Sequence, residues 1–205
     1  MRRSMRPEPS FEELLAPHAS GHGLERLIRF AELLERWSAR HNLVRFAGRE
    51  ELVERHIVDA LAAAPVVGTR SSLLDVGSGA GLPGVPLLAV NQECCGTLLE
   101  PRQKRWAFLK LVIRELELDA EAERRRYESI EPGQRWEIIT ARAVGRDDAL
   151  LEWAVERLLP RGEVLLWTTE DGENRLAKNT AWRVLSSALP GLERGRLCRL
   201  QPCFT

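Results

Sequence analysis

Residues 73–84 read Leu-Leu-Asp-Val-Gly-Ser-Gly-Ala-Gly-Leu-Pro-Gly, an apolar run that meets an acid and then glycines at alternate positions. Gly77, Gly79 and Gly81 permit sharp turns with positive φ and let a ligand approach the main chain with no Cβ in the way. A second acid, Glu100, follows another apolar run, Thr97-Leu98-Leu99. A carboxylate there can accept hydrogen bonds from both hydroxyls of a ribose. Two ligands fit this pattern. A dinucleotide would set its pyrophosphate on the glycine loop. S-adenosylmethionine would bring an ammonium group and a sulfonium instead. Asp75, two residues before the first loop glycine, can meet an ammonium but would repel a pyrophosphate, so the spacing favours S-adenosylmethionine.

These residues need a strand, a loop and a helix to hold them. Leu73–Val76 reads as the first strand of a doubly wound α/β domain and Val85–Val90 as the helix behind the loop. Strand two is expected at Thr97–Glu100 and an amphipathic helix at Lys104–Leu118, with Trp106, Leu109, Ile113 and Leu116 on one side. Strand three is placed near Ala122–Arg126, where four charges blur the signal. Strand four is Trp136–Thr140, then a helix over Asp147–Leu159 stopped by Pro160, then strand five at Glu163–Trp167. Trp182–Ser187 and Arg196–Gln201 read as a closing strand pair around Pro190-Gly191. Strands alternating with helices imply parallel pairing. Upstream, the Ser10–Glu13 capping box starts a helix at Phe11. Leu27, Ile28, Ala31 and Leu34 share one helical face, and Glu51–Ala64 is a third helical segment. The expected division is a helical extension over residues 1–68 packed on a Rossmann-like domain over 69–205.

Bulk properties narrow the options. Thirty Lys and Arg balance thirty Asp and Glu. A surface that grips nucleic acid all over is therefore not expected, although a local basic patch is allowed. No apolar run approaches the roughly 20 residues a membrane helix needs, and the arginines of the first ten residues have no apolar stretch behind them, so neither a membrane span nor a signal peptide is expected. Cys94, Cys95, Cys198 and Cys203 form no C-x-x-C pair and histidine is scarce, so no metal site is expected and the thiols read as reduced and cytoplasmic.

The string Asp75–Leu87 resembles the signature of the bacterial small-subunit rRNA guanine-N7 methyltransferases, the glucose-inhibited division protein B family. Leu82-Pro83-Gly84 is its most specific part. His41-Asn42-Leu43 and Arg55-His56-Ile57-Val58-Asp59-Ala60-Leu61 resemble the family's Tyr-Asn-Leu and Arg-His-Ile-x-Asp-Ser segments. Leu98-Leu99-Glu100, Arg126-Tyr127-Glu128 and Thr140-Ala141-Arg142-Ala143 are similar to the segments that end its strands two, three and four. The resemblance spans roughly residues 24–167. It implies a class I methyltransferase with a mainly parallel seven-stranded sheet, S-adenosylmethionine as cofactor, and a guanine of 16S rRNA, free or in the small ribosomal subunit, as substrate. It further implies that Gly77 and Leu82, with the neighbouring Gly79 and Gly81 of the loop, hold the methionine part, and that Tyr127 and Glu128 lie along the adenine, beside the Asp75 and Glu100 read above as cofactor-binding acids. Arg142 would face the cofactor and substrate pocket, and Arg126 would act near the substrate. A monomer is expected. The chain departs from the pattern after strand five, where Trp167-Thr168-Thr169 stands in place of a Lys-Gly. The C-terminal Arg-His-Leu is only loosely echoed in Arg194-Gly195-Arg196-Leu197.

N7 of guanine carries an in-plane lone pair and attacks without prior deprotonation, so alignment is the main catalytic task. That matches motifs with no obvious base. There is no Asn-Pro-Pro-Tyr run for an exocyclic amine, and Cys203 lies far from where a nucleophile for carbon methylation belongs. His56 and Asp59, three apart, read as a surface or interdomain hydrogen bond. Arg124 and Arg125 read as a solvated face, while Arg102, Lys104 and Arg105 are as compatible with phosphate contact as with solvation. Trp37 and Trp106 read as core. Two other readings remain open: a methyltransferase of this fold for another RNA or a small molecule, and a binding module without catalysis.

Overall fold

The computed structural model describes residues 8–68, 70, 72–142, 145, 147–190 and 192–203. Its strands are β1 (Ser72–Val76), β2 (Cys95–Leu99), β3 (Ala120–Glu123), β4 (Trp136–Arg142), β5 (Leu158–Thr169), β6 (Trp182–Ala188) and β7 (Gly195–Pro202). They form one sheet in the order β3-β2-β1-β4-β5-β7-β6. β1 to β5 pair in parallel, and β7 runs antiparallel between β5 and β6. The helices are α1 (Phe11–Leu15), α2 (Gly21–His41), α3 (Arg49–Leu52), α4 (Asp59–Leu61), α5 (Ala64–Val67), α6 (Gly84–Val90), α7 (Gln103–Glu115), α8 (Asp147–Val155) and α9 (Glu170–Leu176). A π-helical turn covers Val53–Val58 and a 3-10 turn Tyr127–Ser129.

Strand alternation splits the core into two layers. Leu73, Leu98, Ile138, Leu165 and Leu197 face α1, α2, α6 and α7. Their neighbours Leu74, Leu99, Ile139, Leu166 and Cys198 face α8 and α9. The N-terminal helices share the first layer: Phe11, Leu27, Phe30, Leu34 and Ile57 are buried in the same cluster as Val85 and Phe108. α2 and α7 run antiparallel, with Arg29 paired to Glu115 at one end and Trp37 against Phe108 nearer the other.

Several boundaries differ from the sequence expectations. α1 starts as expected, with Ser10 Oγ accepting from Glu13 N–H and Glu13 accepting from the Ser10 amide. The single helix expected over Glu51–Ala64 is instead broken by the π turn. Strand three ends at Glu123, before the arginine run, and its charges are explained by its place at the edge of the sheet. α8 stops at Val155, and Leu158 already pairs with Trp136, so Leu158–Pro160 belong to β5. The periodicity of Leu150, Leu151, Ala154 and Leu158 continues past the helix because all four stay buried. Gly162 permits the tight bend there, since a Cβ would lie 2.8 Å from Leu159 O and 3.0 Å from Glu137 O. The closing pair is as expected, with Trp182 opposite Pro202 and Ala188 opposite Arg196. Gly191 of its turn, and Ala143 after β4, lie outside the described residues. Among the described residues no helix is long and apolar enough to cross a membrane.

Candidate active site

Parallel strands end on one edge of the sheet, so the registers collect the candidate residues there. Glu123 pairs with Leu99, Leu99 with Val76, Val76 with Ala141, and Arg142 with Trp167. One step beyond these pairs stand Gly77 and Glu100. The strand order reverses between β1 and β4, the switch point at which open α/β sheets bind ligands.

The glycine loop is fixed from below. Asp75 is fully buried; its Oδ1 accepts from Thr140 Oγ1 at 2.8 Å and its Oδ2 from the Gly84 amide at 3.1 Å. Ser78 Oγ donates to Asp75 O, and the Ser78 amide donates to Leu99 O at 2.8 Å. Burial pushes the Asp75 carboxyl up to about 6, against the hydrogen bonds from Thr140, Ser78 and Gly84. This corrects the expectation that Asp75 faces an ammonium: it clamps β1, β4 and the start of α6 together beneath the loop. Gly84 has no room for a side chain, since a Cβ would stand 2.7 Å from Asp75 Oδ2.

Above this clamp the loop is open at Gly77 alone. Gly77 is exposed with φ 71°, and a Cβ there would meet nothing within 4 Å. Gly79 has φ 58° and lies beside Glu100 Oε2 and Arg105 Nη1. Glu100 is nearly buried, with Oε1 accepting from the Arg102 amide at 2.7 Å. A cradle of bare main chain beside an oriented carboxylate fits the methionine and ribose parts of S-adenosylmethionine. Gly81 and Leu82 are buried behind it, and a Cβ on Gly81 would stand 2.7 Å from Val85 Cγ2, so they shape the loop from inside. Glu128 is exposed in the 3-10 turn that follows β3, and the Glu100 amide ties the end of β2 to Glu123 O of β3. Tyr127 is buried, its ring edge-on to Trp153 at 5.2 Å.

The two arginines expected at the substrate are not brought together. Arg126 is exposed after β3, with β2 and β1 between it and β4, about 14 Å at ordinary strand spacing. Arg142, at the end of β4, lines a cleft of about 350 Å³ with Asp59, Trp167, Thr168, Thr169 and Arg175. Its Nη2 donates to Asp59 Oδ2 at 3.3 Å and to Arg55 O at 3.1 Å. Asp59 is fully buried, and burial pushes its carboxyl up to about 6 in spite of Arg142. Burial likewise lowers Arg142 from its ordinary value, opposed by Asp59. Trp167 Nε1 donates to Asp59 O at 2.8 Å.

The sequence expects a surface or interdomain hydrogen bond at the His56 and Asp59 pair, and Asp59 instead bonds Arg142 of β4. His56 does not join it; its Nε2 lies 3.4 Å from Arg45 O, and burial and the Arg142 charge lower its pKa. α9 and Arg175 are absent from the sequence expectations. The available signal is Thr169, which caps α9 by accepting from the Gly172 amide.

Residues 23–190 match the family model GidB, rRNA small subunit methyltransferase G. The chain belongs to this family. It is 37% identical to the ribosomal RNA small subunit methyltransferase G of Paramagnetospirillum magneticum, over 88% of this chain and 89% of that one. It is 32% identical to the protein of that name from Syntrophotalea carbinolica, over 75% and 73%. Among solved structures, a methyltransferase from Geobacter sulfurreducens superposes with a TM-score of 0.62 at 11% identity, covering 84% of this chain and 90% of that one. This family member has the class I methyltransferase fold, and its methyl donor is S-adenosylmethionine.

Proposed function

We propose that this chain methylates N7 of a guanine in 16S rRNA. Membership of the rRNA small subunit methyltransferase G family supports the rRNA substrate. The observation that carries the N7 assignment is the chemistry of the Arg142 cleft. Its lining side chains include no histidine, cysteine or lysine among the described residues; its carboxylates are Asp59, paired to Arg142, and Asp147 in the first turn of α8. A wall without a thiol suits a nucleophile that needs no covalent partner, as the in-plane lone pair of N7 does.

When bound, S-adenosylmethionine supplies a methyl carbon activated by the positive sulfonium. Gly77 leaves main chain bare for its methionine part, Gly79 shapes the loop beside Glu100, and Glu100 would receive the ribose hydroxyls. Asp75 holds the loop in register with β4. Arg142 orients the guanine through O6. Transfer of that methyl to the N7 lone pair would break the carbon–sulfur bond and leave a cationic purine and a neutral thioether, with no proton for the protein to remove. Arg126, exposed after β3, would meet the RNA backbone in this reading. The test is mass analysis of nucleosides in 16S rRNA from cells lacking the gene. Loss of one 7-methylguanosine is expected; an unchanged content at every 16S position overturns the reading.

A further inference from the structure

The chain is neutral as a whole, with thirty lysines and arginines against thirty acids, but its charge is sorted between the two faces of the sheet. On one face, α8 and α9 carry six acids and one arginine. On the other, α7 carries four cations, and its one acid is Glu115, at the last position, which Arg29 and Arg114 already hold. Trp106, expected in the core, is half-buried, and its Nε1 donates to Ala122 O at 2.8 Å, which fixes the ring against β3. Lys110 Nζ stands 5.0 Å from the centre of that ring and Arg124 Cζ 6.0 Å. Both side chains are exposed, as is Lys104, and among the described residues none of the three has a carboxylate within ion-pair distance. The nearby acids turn elsewhere. Ala120 and Ala122 face the α7 layer, so alternation leaves Glu121 and Glu123 on the opposite side, and Glu123 pairs with Arg125. Two cations held on one ring without a counter-ion repel each other until an anion joins them. The same helix begins at the cofactor cradle, where the Arg102 amide donates to Glu100 and Arg105 lies beside Gly79.

We propose that the outer face of α7 and the chain leaving β3, centred on Trp106, is the docking surface for the phosphate backbone of the RNA beside the methylated guanine. This rests on the rRNA substrate proposed above and adds the surface that carries it. Lys104 and Lys110 are about 9 Å apart along the helix at 1.5 Å per residue, so one extended strand can engage both. Arg124 meets the same strand from the edge of the sheet. The acidic helices α8 and α9 repel the polyanion from the far face, so charge decides the side from which the RNA arrives. These contacts lie away from the reacting atoms and are made alike in the ground and transition states. They therefore lower KM and leave kcat unchanged.

The test compares the full wild-type chain with a triple variant, Lys104→Gln, Lys110→Gln and Arg124→Gln, on 16S rRNA, free or in the small subunit, over a range of salt concentrations. KM is expected to rise about tenfold, while kcat and S-adenosylmethionine affinity stay within about twofold. The slope of log kcat/KM against log salt should become shallower by about 2, the loss of three phosphate contacts. Lys110→Arg with Arg124→Lys keeps both charges and should behave as wild type. Lys178→Gln with Arg183→Gln removes two exposed cations from the α9 and β6 side and should change nothing. An unchanged KM and salt slope in the triple variant, or an equal effect of the control pair, overturns the inference. In the unmodified protein bound to its substrate, Lys104 and Lys110 should be shielded from an amine-acylating reagent, and photo-cross-links from them should reach RNA. No shielding, or capture of a ribosomal protein in place of RNA, overturns the inference even if the triple variant fails to fold. Failure of the underlying reading is distinct, because wild type then transfers no methyl to 16S rRNA in either form.

Discussion

Asp75 and Asp59 are both fully buried, and burial pushes both carboxyls up to about 6. Around Asp75, under the glycine loop, both carboxylate oxygens have a donor from the protein itself. Around Asp59, beside β4 and β5, one oxygen and one guanidinium nitrogen have none. The first region is fully paired within the protein; the second is not. The same residue type thus closes a clamp beneath the glycine loop in one place and holds Arg142 at the cleft in the other.

The largest test of that contrast is Arg142→Ala. It is expected to lower kcat/KM for rRNA about 1000-fold, the scale of losing a charged contact on the reacting base. S-adenosylmethionine affinity, measured by calorimetry, should stay within about threefold. An equal loss of cofactor binding would erase the distinction between the two regions.

Asp75→Asn should do the opposite. The amide can still accept from Thr140 but sets a donor against the Gly84 amide. We expect a loss of about 2 kcal/mol, a melting temperature lower by roughly 6 °C, and cofactor affinity down about tenfold. Methyl transfer at saturating cofactor should fall far less than in Arg142→Ala. If it falls as far, the loop clamp and the Arg142 cleft are one unit.

Acidity separates the two aspartates further. Each has a folded-state pKa of about 6, above its ordinary value of 3.8. The native state therefore holds these protons more tightly than the unfolded chain. Their contribution to stability is fully present below about 4 and is lost as pH rises through about 6. Activity is expected to run the other way, because the ionised Asp59 holds Arg142 at the cleft through an ion pair that protonation weakens. Below about pH 6, kcat/KM should fall with a slope approaching about tenfold per pH unit, and Asp59→Asn should flatten that limb. A limb that persists unchanged in the variant assigns it to another group.

Much of this contrast is legible in the sequence on one side only. The cofactor half is local: an apolar run, three glycines and an acid lie within a short string, and turn chemistry fixes their geometry. Even there the reading of Asp75 fails, since nothing in the string says that Thr140, 65 residues on, will take one oxygen. The substrate half is assembled from β4, β5 and the segment before β1, 83 residues separating Asp59 from Arg142. Helical periodicity cannot reveal a π turn, so the face on which Asp59 emerges is not readable. β3 is blurred for a related reason: an edge strand carries charges on its outer positions and loses the alternating signal. The end of α8 is hidden because burial continues after the helix has stopped.

The segment after β5 gives the smallest and last test. Here the chain departs from its family's expected Lys-Gly, and α9 is tied to β7 and the turn before it by surface ion pairs. Arg194 contacts Asp171 at 3.1 Å and Glu170 at 3.8 Å, and Arg196 contacts Glu173 at 3.0 Å. Arg194 is 63% exposed, so its pairs are screened and worth at most about 1 kcal/mol. Arg194→Ala should lower the melting temperature by no more than about 3 °C and leave methyl transfer within about twofold. Yet α9 is capped by Thr169 and carries Arg175, and both line the Arg142 cleft. A loss of transfer of about tenfold in Arg194→Ala with stability intact would mean that the placement of α9 helps to shape the cleft, and the incomplete region would then extend from Asp59 across β5 to the last strand pair.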